Sequence, residues 1–320
     1  MAELPSVLTV KTFDGEVIPP DQVATFTIEE EEDEEFEAVL RALIEHRSAF
    51  PALSAIVFGC DALPALEGIE DDALRTLFGS VECVELGSYE EITADVAAWC
   101  ERGLFAEAQG LQVNHSKMKD AGVTAFLDAG PYPSLKSLDL RYNKIRKAGT
   151  AALAATEALP ALVELKLASN GLGAAGVKAL LQDGGLAAVQ SFTALDLSNT
   201  KPGASLPLLL SGKALPNLES LMLTHNSTKP ELWTKGLAGM RRPKLRRLDV
   251  SVGIDAHDER LRSDPFGGAE LPSLEWLGTA STFTRAAALS LAKSPNLPAL
   301  ETLSVATEGD PTRDDEEIAV

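Results

Sequence analysis

A repeated pattern constrains this chain more than any other feature. "LKSLDLRYNKI", Leu135 to Ile145, has apolar residues at offsets 0, +3 and +5 and an asparagine at +8. "LVELKLASN" from Leu162 and "LESLMLTHN" from Leu218 repeat it. With the apolar class and the last place relaxed, the same pattern starts at Val23, Leu53, Val81, Ala108, Phe192, Leu245, Leu274 and Leu300. That makes eleven units spaced by 26 to 30 residues. Such a period marks a solenoid, in which one unit cannot bury its apolar face alone and stacking buries a continuous core.

Each unit reads as a strand followed by a helix. Leu138 and Leu140, two apart, face one side of a short strand while Asp139 faces the other. Stacked units pair these strands in parallel. Asn143, Asn170 and Asn226 fall where the strand ends, where a side-chain amide can satisfy backbone groups left unpaired by a bending chain. "AGVTAFLDAG" from Ala121, "AGTAALAATEAL" from Ala148 and "AGVKALLQDG" from Ala175 all begin at +13 and carry apolar residues at helical spacing. Proline precedes the first leucine by two places at Pro51, Pro133, Pro160, Pro216, Pro243, Pro272 and Pro298, where it stops the helix and turns the chain toward the next strand.

A strand, an asparagine turn and a full helix in about 27 residues resemble the ribonuclease-inhibitor-like class of leucine-rich repeat proteins. The resemblance covers about Val23 to Glu308. It implies an α/β leucine-rich repeat solenoid, a horseshoe with an inner parallel β-sheet and outer helices, whose concave face binds a protein partner. The expected organisation is a capping strand or hairpin over residues 1–22, the solenoid over 23–308, and an acidic tail over 309–320 that frays. The asparagine place holds Gly253, Thr282 and Glu308 in later units, so the ends are expected to be less regular, and Gly253 to Leu271 departs from the helical pattern. Ran GTPase-activating proteins share the repeat class, so regulation of an enzyme is the alternative. Their acidic tails are longer than "DDEE", and no catalytic arginine or asparagine can be matched.

The net charge is −20, from 28 Lys and Arg against 48 Asp and Glu. That balance disfavours a nucleic-acid backbone as partner, since such binding relies on surplus cations. No basic leader followed by an apolar run and no stretch of about 18 apolar residues occurs, so neither export nor a membrane is expected and the reading is a cytoplasmic monomer. Cys60, Cys83 and Cys100 are odd in number and irregular in spacing, which fits a reducing compartment better than a disulfide framework. No phosphate-binding glycine loop, zinc-spaced cluster or nucleophile elbow is present, so no catalysis, cofactor or metal is expected. From Glu29 to Glu37 every residue but Phe36 is acidic. The run either solvates a turn before a helix or offers an acidic surface to a basic partner.

The repeat register converts the chain into a surface map. The +4 column contains Gln112, Asp139, Lys166, Asp196, Met222, Asp249 and Gly278, and the +6 and +7 places add His115, Arg141 and Tyr142. One expected cluster joins His115, Asp139, Arg141, Tyr142, Glu164, Lys166 and Asp196, and a second joins Arg246, Arg247, Asp249 and Trp276. Asp139, Lys166 and Asp196 could equally neutralise one another as cross-strand neighbours. Arg141, Tyr142 and Trp276 are the side chains of the kind that anchors interfaces.

Overall fold

The computed structural model describes residues 18–28, 36–87, 92–250, 266–280, 291, 293–306 and 316–319. Residues 1–17, most of the acidic run (29–35) and most of the irregular segment (251–265) lie outside them. The chain falls into two compact units, one of residues up to Asn143 with Ala158–Leu162, the other of Lys144–Glu157 with residues from Val163 onward.

In the first unit, strand and helix alternate as β1 (Thr25–Ile28), α1 (Phe36–Glu45), β2 (Ala55–Phe58), α2 (Asp71–Gly79), β3 (Cys83–Leu86), α3 (Thr93–Glu101), β4 (Gly110–Gln112), α4 (Lys119–Asp128) and β5 (Ser137–Asp139). Each strand pairs in parallel with the next, and the pairing follows the repeat: Thr27 opposes Val57, Val57 opposes Glu85, Glu85 opposes Gln112, and Gln112 opposes Asp139. Parallel neighbours need a long crossover, and the helices supply it. Ile56, Phe58, Val84, Leu86, Leu138 and Leu140 are fully buried, so the +3 and +5 places form the sheet side of the core. Phe78 meets Phe58 edge to face, with planes 75° apart, and stacks on Phe105 with ring centroids 5.9 Å apart and planes 8° from parallel.

The second unit continues with α5 (Lys147–Ala155), β6 (Glu164–Lys166), α6 (Gly173–Leu180), β7 (Ala194–Asp196), α7 (Leu206–Leu210), β8 (Ser220–Met222), α8 (Pro230–Ala238), β9 (Arg247–Asp249), β10 (Trp276–Ala280), β11 (Thr302–Ala306) and β12 (Glu316–Ala319). From β6 to β11 the strands are parallel and again in repeat register, Lys166 opposing Asp196, Asp196 opposing Met222, and Asp249 opposing Gly278. Helices α4, α5 and α6 start one or two residues before the expected +13 place. A Cβ on Gly176 would lie 2.9 Å from Thr150 Oγ1, so the close approach of α5 and α6 depends on a residue without a side chain.

Two expectations change. The prolines do more than end helices: the carbonyl before each accepts the amide three residues on, as in Tyr132 to Leu135 (3.3 Å), Leu159 to Leu162 (3.3 Å) and Arg242 to Leu245 (3.1 Å). Proline is therefore the second residue of a turn that its ring preorganises, and the turn delivers the first leucine to the core. The tail expected to fray instead contains β12, antiparallel to β11 with Leu303 opposite Ile318. The end of a parallel stack leaves a row of unpaired backbone groups, and folding the last residues back satisfies them.

Candidate functional site

The strand-bearing face is shaped by the turn after each strand. His115, Tyr142, Ser169, Asn199 and His225 all occupy the +7 place and all have left-handed backbone, with φ between +52° and +58°. For a non-glycine residue that conformation is unfavourable by about 1–2 kcal/mol, and the surrounding hydrogen bonds must hold it. They do so by prolonging the strand ladder: His115 N donates to Arg141 O (3.1 Å), and within the second unit Ser169 N donates to Ser198 O (2.8 Å) and Asn199 N to Thr224 O (2.9 Å). Behind these turns sit the +8 asparagines. Asn143 Oδ1 accepts the amides of Ser116 (3.2 Å) and Met118 (3.1 Å), and Asn226 Oδ1 accepts those of Thr200 and Lys201, both at 2.9 Å.

In the first unit, the register brings two aromatic side chains together. Neighbouring parallel strands run about 4.8 Å apart, so residues at the same place in adjacent repeats meet face to face. The rings of His115 and Tyr142 stack with centroids 4.0 Å apart and planes 14° from parallel. Tyr142 is 47% exposed. Asp139, expected on the recognition surface, is instead buried, with 1% exposure. Its carboxylate accepts the Arg141 amide (3.0 Å) and pairs with the Arg141 guanidinium at 2.7 Å. The aspartate thus braces its own turn and fixes the arginine beside Tyr142. Lys117 and Lys119, also left-handed at φ +46° and +57°, belong to the preceding turn, the one that carries His115, with Lys119 exposed. Neither falls in the +4, +6 or +7 columns, so the column map passed over them; their common turn was the available signal.

In the second unit, Lys166 pairs along its own strand with Glu164 (3.1 Å), and Asp196 accepts the Ser198 amide (2.9 Å) as Asp139 does that of Arg141. The aspartates of "LDLR" and "LDLS" therefore do the same local work, Asp196 half-buried, and Asp249 in "LDV" is buried as Asp139 is. Arg247 and Trp276 form the second aromatic feature, the guanidinium carbon lying 3.8 Å from the ring centre. That ring rests on Gly278, where a Cβ would come within 2.7 Å of both the indole and Asp249 Oδ1. Arg246 is separate from this pair. It sits at +1 and binds Glu275 at 2.8 Å, and that hydrogen bond, with the charges of Glu275, Glu219 and Glu301, raises its pKa.

Arg242 went unnoticed in the sequence. It is 2% exposed and donates to the carbonyls of Leu215 (2.9 Å), Ala214 (3.3 Å) and Leu209, groups in the last turn of α7 and just beyond it. Burial lowers its pKa to about 10. Cys100, packed in α3, has its thiol pushed up to about 11 by burial, a hydrogen bond with Tyr132 acting the other way. Such a thiol is a poor nucleophile. Among the described residues no three His, Cys, Asp or Glu side chains are grouped to hold a metal ion, and no helix is long and apolar enough to cross a membrane.

Residues 133–154 and 159–181 match the family model described as Leucine Rich repeat. No curated protein sequence matches the chain. Among solved structures, a chain of the yeast Rad7 and Elc1 complex superposes with a TM-score of 0.51 at 13% identity, over 83% of this chain and 70% of that one. An internalin, InlF, from Listeria monocytogenes gives a TM-score of 0.44 at 15% identity over 90% and 83%. TLR13 in complex with ssRNA13 gives 0.45 at 19%, covering 73% of this chain, which spans 30% of the length of the TLR13 chain. The repeat register, the parallel strand pairing and the two matched repeats together identify the fold as an α/β leucine-rich repeat solenoid.

Proposed function

We propose that the chain is a non-enzymatic scaffold that binds a protein partner through its strand-bearing face. The single observation that carries this reading is the stacked His115–Tyr142 pair, a large aromatic surface held out on a turn that the fold keeps in left-handed backbone. Aromatic and arginine side chains supply most of the energy in protein interfaces, and Arg141 beside Tyr142 and Arg247 on Trp276 are of that kind. The helices of eight to ten residues in α4, α5 and α6 support the ribonuclease-inhibitor-like class as the nearest description. The excess of carboxylates makes a protein a better partner than a nucleic acid.

The test is affinity capture of a partner by the whole chain, followed by titration of that partner against variants. Tyr142→Ala, Arg141→Ala and Trp276→Ala are each expected to weaken binding by about 1–3 kcal/mol, while the helix-side Lys178→Ala leaves it unchanged. If neutralising the acidic run at 29–37 abolishes binding while these three variants bind normally, the strand-bearing face is not the recognition surface.

A further inference from the structure

We infer that Arg247, stacked on Trp276 in the second unit, is the receptor for an aspartate or glutamate side chain of the partner protein. This rests on the proposed protein-binding role and names the chemistry that this part of the strand-bearing face selects.

The guanidinium is held in place but not consumed. Its carbon lies 3.8 Å from the centre of the Trp276 ring, and the ring is seated in turn on Gly278. Stacking engages the flat face of an arginine and leaves the N–H groups around its edge able to donate. Arg247 is exposed, and among the described residues its guanidinium has no hydrogen-bond or ion-pair partner. In this it differs from Arg141, Arg242 and Arg246, which are taken up by Asp139, by backbone carbonyls and by Glu275. The stack also fixes the direction of the side chain before any ligand arrives, which lowers the ordering cost of binding.

The neighbours on the face set the charge of what can bind. Strands β8 to β11 place Ser220, Arg247, Trp276 and Thr302 side by side, with Met222, Asp249 and Gly278 two residues further along. Arg247 is the exposed charge in these rows, while Asp249 is buried and forms no ion pair with it. A carboxylate brings one negative charge and two oxygens that match the guanidinium fork. A phosphate brings nearly two charges to a single cation with a carboxylate close by. A free chain terminus is captured by unengaged backbone amides. Here the amides of Ser220, Arg247, Trp276 and Thr302 all donate within the sheet, to the carbonyls of Thr193, Glu219, Arg246 and Glu275 at 2.9 or 3.0 Å. A side-chain carboxylate is the group that remains.

The net acidity of the chain does not oppose this. The second unit has 19 Lys and Arg against 20 Asp and Glu, 19 − 20 = −1, and the first has 9 − 28 = −19. Half-buried Met222, diagonal to Arg247 on the next strand, adds an apolar contact of adaptable shape. Diagonal neighbours on a sheet lie about 7–8 Å apart, close to the spacing of side chains two residues apart in an extended segment. The selected segment therefore carries an acid and, two places away, an apolar residue.

The probe is the fluorescein-labelled, amidated peptide GSTEALSG, read by anisotropy with the full chain. Its controls have glutamine or phosphoserine in place of the glutamate, and a fourth peptide, GSTQAL, ends in a free α-carboxylate. The glutamate peptide is expected to bind about tenfold tighter than each of the others, and to weaken as salt rises from roughly 50 to 300 mM. Arg247→Gln should erase the preference for glutamate over glutamine. Arg247→Lys keeps the charge, loses the fork and should weaken the glutamate peptide about tenfold. Lys244→Ala, which removes a charge outside these rows, should leave binding unchanged. Equal binding of the glutamate and glutamine peptides, tighter binding of the phosphoserine or free-terminus peptide, or full affinity in either Arg247 variant overturns the inference. If the glutamate and glutamine peptides bind alike while Trp276→Ala still releases a captured partner, the carboxylate chemistry is wrong and the protein-binding role stands. If the glutamate peptide binds selectively while Tyr142→Ala, Arg141→Ala and Trp276→Ala all leave capture intact, the carboxylate site stands and the proposed recognition surface is wrong.

Discussion

Asn226 Oδ1 lies 2.9 Å from the amide nitrogen of Thr200, a residue one repeat earlier in the chain. Its Nδ2 donates to Leu197 O of that same repeat at 2.8 Å and to Leu223 O of its own at 3.0 Å. One buried amide therefore ties consecutive repeats together through backbone groups that no strand or helix satisfies.

Asn170 does the same for the Ile145 amide (2.9 Å) while donating to Leu167 O (2.9 Å), whereas Asn199 is exposed and reaches only Ser169 Oγ at 3.2 Å. Stranding buried backbone groups costs on the order of 1–3 kcal/mol, and exposed changes cost within about 0.5 kcal/mol. Chemical denaturation should show Asn170→Ala losing stability in the first range and Asn199→Ala losing less, up to about 1 kcal/mol, since alanine tolerates the left-handed backbone at 199 less well than asparagine. Equal losses would mean that the +8 amide does not hold the turn.

Arg242→Ala should be among the more damaging single changes, by about 3 kcal/mol or more, because three carbonyls lose their donor and the space of a buried guanidinium opens. The pH dependence follows from the lowered pKa. In the unfolded chain the group keeps its ordinary, higher pKa, and in the folded one burial brings it down to about 10. The unfolded state binds more protons only above about 10, so stability gains from this group's titration appear only there. The gap between wild type and Arg242→Met should accordingly stay constant from pH 6 to 9 in urea melts.

Cys100 should resist alkylation. With a thiol at about 11, roughly 0.1% is thiolate at pH 8, about a hundredfold less than for an unperturbed cysteine of pKa 9, and burial restricts access further. Mass spectrometry after iodoacetamide treatment should find the Cys100 peptide modified only once the chain is unfolded, with the half-buried Cys83 modified sooner.

Gly278→Ala should push the Trp276 ring off its seat and away from Arg247. Overpacking of this kind costs typically about 1–3 kcal/mol. Trp99 and Trp233 are buried elsewhere, so a red shift in tryptophan emission would report Trp276. An unshifted spectrum with unchanged melting would show that the ring has room to move.

Periodicity carried the architecture. Every strand from β1 to β11 lies at the place that the offsets of 0, +3 and +5 assign, and the +4 column pairs in the expected order within each unit. This follows from burial: a residue that must face the core in every repeat leaves a periodic trace. The +8 asparagines could be read for the same reason, since an obligatory backbone partner recurs at a constant place.

Lateral and local partners leave no such trace. The column map treated Asp139 as an exposed charge, but its closest partner is two residues away in its own turn, so it is buried and used up. Arg246 and Arg247 are adjacent in sequence, yet one step along a strand sends them to different neighbours, Glu275 and the face of Trp276. Arg242 is buried because the end of α7 happens to leave carbonyls within its reach, a coincidence of elements about 30 residues apart. The His115–Tyr142 stack lies between these cases. Their shared +7 place was visible in the chain, but the two rings stack on left-handed backbone at both residues, which at His115 is held by the hydrogen bond of its amide to Arg141 O in the next repeat. Repetition records what every unit must do, whereas the features that distinguish one unit from another arise only when neighbours are in place.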